Sequence, residues 1–256
     1  MFSRENYLRN ARLAYPRSTP AAVYISPASY VQYGAEMAGV AARYPELVRG
    51  QPREEGALTL PQRGRFTDPF GCTWEMAVDG IEGFVTGHPL ADWDPSYRLP
   101  DPLAYLGPYT IDWPHIRRSG DEVFFCSLVH GFLLLRAQYL RGFENLMMDV
   151  ATGEPRLLEL LANLTDYSAA IVNRFLALGA DVIGLPEDLG TQDRLIMGPP
   201  HFRRLILPAY RQLTGLIHGR ALTHIHSDGY ILEIADDLLS CGFDIINPQD
   251  LVNGVA

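Results

Sequence analysis

From residue 123 onward the chain repeats one pattern: a short apolar run rich in β-branched and aromatic residues, followed by helical periodicity over ten residues or more. The runs occupy residues 123–128, 181–185, 222–226 and 243–247. Helical segments over 136–149 and 155–178 separate the first two runs, and segments over 200–218 and 230–240 follow the next two. Gly179 is placed to end the 155–178 helix, because glycine accepts the left-handed conformation that closes a helix. Antiparallel strands need only a turn between them, whereas parallel strands need a long crossover. This alternation therefore predicts βα units and a parallel α/β sheet, with helices covering its faces or ringing a barrel.

The N-terminal half reads differently. A polar helix holding Asn6, Leu8, Ala11 and Leu13 ends at Pro16, residues 21–26 have a short buried-strand pattern, and a helix over 28–43 stops before Pro45. Residues 49–65 turn polar and rich in Gly and Pro, which marks a loop. Segments 74–78 and 81–86, joined by Asp79-Gly80, predict a hairpin, since Asp-Gly takes the positive φ angles of a tight β-turn. Val23, the segment around Phe66 and the four later runs give about six strands. A TIM barrel of the (β/α)8 type has eight. The expected architecture is thus a single domain over residues 1–256, a TIM (β/α)8-type barrel truncated after about six strands, with an N-terminal helical and hairpin excursion.

Composition excludes several partners. A formal charge of -9 with scattered Lys and Arg argues against nucleic acid. The longest apolar stretch, 123–135, is interrupted by Ser127, His130 and Gly131 and is shorter than the roughly 20 residues that span a bilayer, so no membrane segment is expected. The opening Met1-Phe2-Ser3-Arg4-Glu5-Asn6 lacks a signal peptide's apolar core. Cys72, Cys126 and Cys241 form no Cys-x-x-Cys pair, so a reducing, cytoplasmic location is expected, with Cys126 and Cys241 as packed thiols.

In parallel α/β folds ligands bind beyond the carboxyl ends of the strands. One such end carries His224-Ile225-His226-Ser227-Asp228-Gly229. Side chains alternate along a strand, so His224, His226 and Asp228 share a face. Imidazole and carboxylate ligate zinc and exchange protons near neutrality, so the group is either a metal or acid–base site or a hydrogen-bonded polar layer. After residues 181–185 come Glu187, Asp188 and Gln192, where the adjacent acids either split their pKa values for catalysis or organise the turn. Asp68 lies between Phe66 and Phe70, either binding an N–H or cationic ligand or closing an Asx-turn before Pro69. Asn247-Pro248-Gln249-Asp250 either contacts a substrate or shapes its loop. His88 and His130 have no partner at a spacing that assigns them a role.

In series, these motifs resemble the uroporphyrinogen decarboxylase superfamily, and the resemblance spans nearly the whole chain. The segments that carry it are Gly87-His88-Pro89-Leu90-Ala91-Asp92-Trp93 with Leu99-Pro100-Asp101-Pro102, Leu140-Arg141-Gly142-Phe143-Glu144, Gly179-Ala180-Asp181 leading into Glu187 to Gln192, Pro208-Ala209-Tyr210, His226-Ser227-Asp228-Gly229, and Gly242-Phe243-Asp244 with Asn247-Pro248. The first two are similar to the branch of methyltransferases that serve corrinoid proteins. The resemblance implies a barrel enzyme that passes a methyl group between a small molecule and a corrinoid carried by a partner protein, with oligomers possible. Glu187 and His226 would be catalytic, His224, Gln192 and Asn247 would bind substrate, and His226 with Asp228 would hold zinc, aspartate standing where the family has cysteine. Phe66-Thr67-Asp68 resembles the Phe-Ser-Asp of true decarboxylases and implies the alternative, decarboxylation of a tetrapyrrole with Asp68 as the catalytic residue. The arginine-rich N-terminal motif of those enzymes is missing. A third expectation, drawn from the strand count, is an inactive fragment or a subunit of an assembly.

Overall fold

The computed structural model describes residues 3–19, 21, 23–45, 47–49, 62–81, 83–107, 109–118 and 120–248. Most of the loop expected over 49–65, and Gln249 and Asp250, lie outside them. Two compact units are present, Met1–Asp68 with Cys72–Gly87, and Pro69–Gly71 with His88–Ala256. Among the described residues no helix is long and apolar enough to cross a membrane.

In the first unit, helix α1 (Arg4–Ala11) begins at Ser3, whose hydroxyl accepts from the Asn6 amide and satisfies one of the N–H groups a helix start leaves open. Strand β1 (Val23–Tyr24) leads to helix α2 (Pro27–Arg43), which kinks at Gly34, and to strand β2 (Val48–Arg49). Strands β3 (Gly64–Thr67), β4 (Thr73–Met76) and β5 (Phe84–Gly87) form an antiparallel sheet in the order β3-β4-β5. The Asp79-Gly80 turn lies between β4 and β5, with Gly80 at φ 80°.

These pairings correct the strand count drawn from the sequence. Among the described residues β1 pairs with β2 and β3 with β4, and Val23 is 52% exposed where a buried strand was expected. The Phe66 segment is β3, joined to β4 through Asp68–Cys72, a connection far too short for a parallel crossover.

In the second unit, strands β6 (Tyr105–Leu106) and β7 (Tyr109–Thr110) form a small ribbon. Strand β8 (Phe125–Ser127) then opens the main sheet, followed by helices α3 (Leu134–Arg141), α4 (Phe143–Thr152) and α5 (Pro155–Ala177) and by strand β9 (Val182–Asp188). Helices α6 (Pro199–Leu205) and α7 (Leu207–Ile217) lead to strand β10 (Leu222–Asp228), and helix α8 (Ala235–Ser240) leads to strand β11 (Ile245–Pro248). The four strands are parallel and ordered β11-β10-β9-β8.

The helices form where the sequence places them and break for local reasons. Helix α5 starts with Pro155 at its first position, where no N–H is needed, and Gly179 takes φ 77° beyond its end. Leu157, Leu160, Leu161, Leu164, Ile171, Val172 and Phe175 form its buried stripe, at the i, i+3, i+4 spacing that lays one face against a core. Each such side chain contributes roughly 1.5–3 kcal/mol when fully buried. One helix was expected over 136–149, but Gly142 at φ 78° divides it into α3 and α4. Pro208 likewise ends the intrahelical bonding behind it, so the expected 200–218 helix becomes α6 and α7.

Two ion pairs fasten this unit, the first with an exposed arginine and the second buried on both sides. Asp181, at the foot of β9, accepts from both terminal nitrogens of Arg118 and from the Phe124 amide, which aligns β8 beside β9. Arg141 donates to Asp149 at 2.7 Å and to the carbonyls of Leu90 and Ala91, with its guanidinium 4.3 Å from the Trp93 ring centroid.

Candidate functional site

Alternation gives the parallel sheet two chemically distinct faces. Ile183, Leu185 and Glu187 of β9, with Thr223, Ile225 and Ser227 of β10, are buried to 1% exposure or less. The opposite face carries Pro186 and Asp188 of β9 and His224, His226 and Asp228 of β10, all partly or fully accessible. Parallel register sets His226 beside Pro186 on one side and Asn247 on the other, and Asp228 beside Asp188. The shared face expected for His224, His226 and Asp228 is therefore present.

At the carboxyl end of this face three side chains converge. His130 Nε2 lies 3.0 Å from Asp188 Oδ1, and the His130 and His226 rings are 5.9 Å apart between centroids. One ligand atom from each of His130, Asp188 and His226 lies within 4.8 Å of the others, and His226 Nε2 is 3.6 Å from Asp228 Oδ1. Burial pushes the Asp188 carboxyl up, but the hydrogen bond and charge of His130, the Asp228 amide and the His226 ring hold it below its ordinary value of 3.8. Two imidazoles and two carboxylates are ordinary ligands for a divalent ion such as zinc, so the residues fit the metal that the sequence resemblance implies.

The frame around them is fixed by backbone contacts. The Leu128 amide donates to Gly184 O and the Gly131 amide to Pro186 O, so the segment carrying His130 runs along β9 beyond the end of β8. Ser227 Oγ accepts from the Leu189 amide at 3.0 Å, joining the ends of β9 and β10. Gly190 and Gly229 then meet back to back: a Cβ on Gly229 would lie 2.3 Å from Gly190 backbone, and one on Gly190 would lie 2.3 Å from the Tyr230 carbonyl oxygen. Gly229 also holds φ 74°. Only glycine fits at both places.

Lower on the face, His224 meets the Phe125 ring edge-on at 5.4 Å between centroids. Gly184 makes this possible, since a Cβ there would come within 2.7 Å of Ser127 Oγ and 3.0 Å of the Phe125 ring. Burial, followed by the neighbouring His226, pushes His224 down to about 4, so its ring is neutral at pH 7.

Glu187 faces the other way. Its carboxylate is fully buried and accepts the amides of Leu133 at 2.7 Å, Leu134 at 2.9 Å and Leu135 at 3.2 Å. Both oxygens thus cap the start of α3, where unsatisfied N–H groups and the helix dipole favour an anion. Burial nevertheless pushes its pKa up to about 7, with the three amides and the charge of His130 opposing. The structure gives this residue a seating role for α3 on the face away from the histidines.

The remaining expected site residues are Gln192, Asn247 and Asp68. Gln192 is exposed in the tight turn closed by the Thr191 amide on Arg194 O. Asn247 is exposed in β11, in register with His226. Asp68 belongs to the first unit, where its carboxylate accepts the Cys72 amide and Trp74 Nε1, each at 2.9 Å. That is the turn-closing arrangement. His130 was missed by the sequence analysis; the available signal was its place just beyond the first strand run, matching Asp188 and His226 beyond the next two. A separate cavity of about 720 Å³ is lined by Leu90, Trp93, Tyr97, Arg98, Arg156 and Tyr167 among others, and shares no residue with the His–Asp cluster.

Comparison with known proteins bears on the fold and the family. Among solved structures, a methyltransferase from Methanosarcina mazei superposes with a TM-score of 0.69, over 96% of this chain and 76% of its own, at 18% sequence identity. At that identity the likeness establishes the fold. No curated protein matches the chain in sequence. The sequence profile of the family described as Uroporphyrinogen decarboxylase (URO-D) matches residues 69–254, which include the whole parallel sheet and every member of the His–Asp cluster. The chain belongs to the uroporphyrinogen decarboxylase (URO-D) family.

Proposed function

We propose that this URO-D family enzyme transfers a methyl group between a small molecule and a corrinoid carried by a partner protein, at the accessible face of its parallel sheet. The observation that carries the proposal is the meeting of His226 and Asp228 with His130 and Asp188 beyond the strand ends. The fold shared with a methyltransferase adds to it. A zinc-type ion held by these residues would supply Lewis-acid activation of the methyl acceptor. The chain's own residues do the rest. Asp228, the most exposed member, is placed to take the proton that an acceptor sheds, and the His130–Asp188 hydrogen bond keeps these two side chains together until their facing atoms are given over to the ion. Phe125 and the neutral His224 ring form a ring surface lower on the same face, against which a substrate can be positioned.

Decarboxylation of a tetrapyrrole is the other activity the sequence resemblance implies. It would draw on Asp68, whose two oxygens already close the β3–β4 turn, and this weighs against it. The test is an anaerobic assay with methylcobalamin as the corrinoid probe and a small thiol as acceptor, followed by cobalt absorbance. Demethylation that depends on added zinc and falls at least a hundredfold in His226→Ala is the expected result. An unchanged corrinoid spectrum with the zinc-loaded protein, alongside turnover of uroporphyrinogen, would replace the proposal with decarboxylation.

A further inference from the structure

We infer that the cavity between helix α5 and the 90–102 loop binds an extended organic dication, a linear aliphatic diamine or polyamine. The cavity has a volume of about 720 Å³, and its lining residues all belong to the second unit. It shares no residue with the His–Asp cluster, so this inference and the proposed methyl transfer can fail separately.

The first observation is a pre-formed space. Pockets for small molecules run to about 300–1,000 Å³, so one extended molecule fills this one. The loop that walls it is tied to the rest of the unit. Arg141 donates to the carbonyls of Leu90 and Ala91, Asn145 Nδ2 donates to Ala91 O at 3.0 Å, and the Tyr97 hydroxyl donates to Phe70 O at 2.9 Å. Pro95, Pro100 and Pro102 stiffen the same loop. A wall that is ordered beforehand leaves less entropy to be lost when a ligand enters.

The second is the sign of the charge. Helical spacing sets Arg156, Glu159, Asn163 and Asp166 along one side of α5, facing the cavity. Arg156 is already engaged. Its Nε and Nη2 donate to the Glu154 carboxylate at 2.7 and 2.9 Å, and its guanidinium stands 5.3 Å from the Trp93 ring centroid. Arg98 gives Nη1 to the carbonyls of Pro95 and Tyr97, each at 2.7 Å, and Asp94 on the same loop offsets its charge. Glu159 and Asp166 are left over. Neither meets a cationic side chain among the described residues, where Asp166 accepts from Gln212 Nε2 at 3.3 Å and the Asn163 side chain has no hydrogen bond. The chain's formal charge of -9 acts in the same direction.

The third is spacing. Glu159 and Asp166 lie two helical turns apart on one face, about 10 Å along the axis at 1.5 Å per residue. A metal ion or a compact ammonium reaches one of them. A molecule with an ammonium at each end reaches both, and its methylenes then lie along Leu160 and Tyr167 of the same wall. A solvated groove with ordinary surface acids has no such preference for length.

The test is calorimetric titration of the full chain at physiological salt with the eight-carbon terminal diamine, the four-carbon diamine, octylamine and the eight-carbon diacid. The expected result is one eight-carbon diamine per chain, bound at least about fivefold more tightly than either smaller charge set, with no binding of the diacid. Glu159→Gln and Asp166→Asn, at exposed positions, should each weaken it at least about twofold and together at least about fivefold. Asn163→Arg, which puts a cation in the middle of the row, should abolish binding, while Asp236→Asn on α8 should leave it unchanged. Failure of the eight-carbon diamine to bind, or equal affinity for both diamines, would overturn the inference. So would unaltered binding in Asn163→Arg, or a loss in Asp236→Asn as large as in Glu159→Gln, which would mean general attraction to an acidic surface. Binding of the diacid in place of the diamine would show that the arginines govern the cavity.

Discussion

Replacing Glu187 by glutamine exposes two opposing costs in the seating of α3. The carboxylate meets three backbone N–H groups with two oxygens, and an amide offers one. At least one amide donor in a fully buried place would then face another donor, at a cost of about 1–3 kcal/mol. Against this, the substitution removes a carboxyl that burial makes reluctant to ionise. Its pKa rises from 4.5 to about 7 on folding. At about 1.4 kcal/mol per pH unit, the gap amounts to about 3 kcal/mol. Because the folded value is the higher one, the stability that Glu187 gives is fully present below its unfolded pKa and is lost as pH rises through about 7. Glutamine has no such dependence. The destabilisation caused by Glu187→Gln is therefore expected to be largest near pH 5 and to shrink by about 2–3 kcal/mol by pH 8. Urea unfolding of both proteins in EDTA at pH 5, 6, 7 and 8 measures this, with the pair repeated in a His130→Gln background because the His130 charge acts on Glu187. A difference that stays flat across the range would mean that the three amides keep Glu187 ionised throughout, and the argument from burial would fail.

Three further outcomes are expected. Gly229→Ala should lower the unfolding free energy by at least about 2 kcal/mol, from the positive φ and the 2.3 Å clash together, and Gly190→Ala should behave alike; wild-type urea midpoints for both would refute the close approach. Arg141→Met should cost about 3–5 kcal/mol by leaving Asp149 buried without its partner, and Asp149→Leu added to it should recover part of that loss, which a double-mutant cycle in urea would read. Burial pushes the Cys126 thiol up to about 12 and the Cys241 thiol up to about 11, so native protein at pH 8 should react with a thiol reagent far more slowly than urea-unfolded protein, which exposes all three cysteines; equal rates would refute the packing.

The parallel sheet was legible because β9 and β10 are long enough to show their chemistry. Seven residues of β10 at period two put His224, His226 and Asp228 on one side without further information. The same arithmetic failed for His130. Strand β8 stops at Ser127, and the segment beyond it is irregular, so period two says nothing of residue 130. What brings its ring to Asp188 is a pair of backbone bonds to β9, more than fifty residues away in sequence. Glu187 and Asp188 looked equivalent as adjacent acids, yet alternation sends one to the helices and one to the histidines. The Phe66 segment was assigned to the parallel series from its composition alone. The five residues between β3 and β4, which only an antiparallel pairing allows, were the better guide.

The back-to-back contact of Gly190 and Gly229 separates the chassis of the site from its chemistry. Since the ends of β9 and β10 are set by the glycine contact and by the Ser227 hydroxyl, the side chain at 228 is an exchangeable part on a fixed mount. The Asp228 side chain carries none of the frame, so swapping it for cysteine or histidine replaces an oxygen beside His226 by sulfur or nitrogen while leaving the mount in place. A lineage, or an engineer, can change the chemistry of this face by one codon at 228, whereas a change at either glycine disturbs the mount itself.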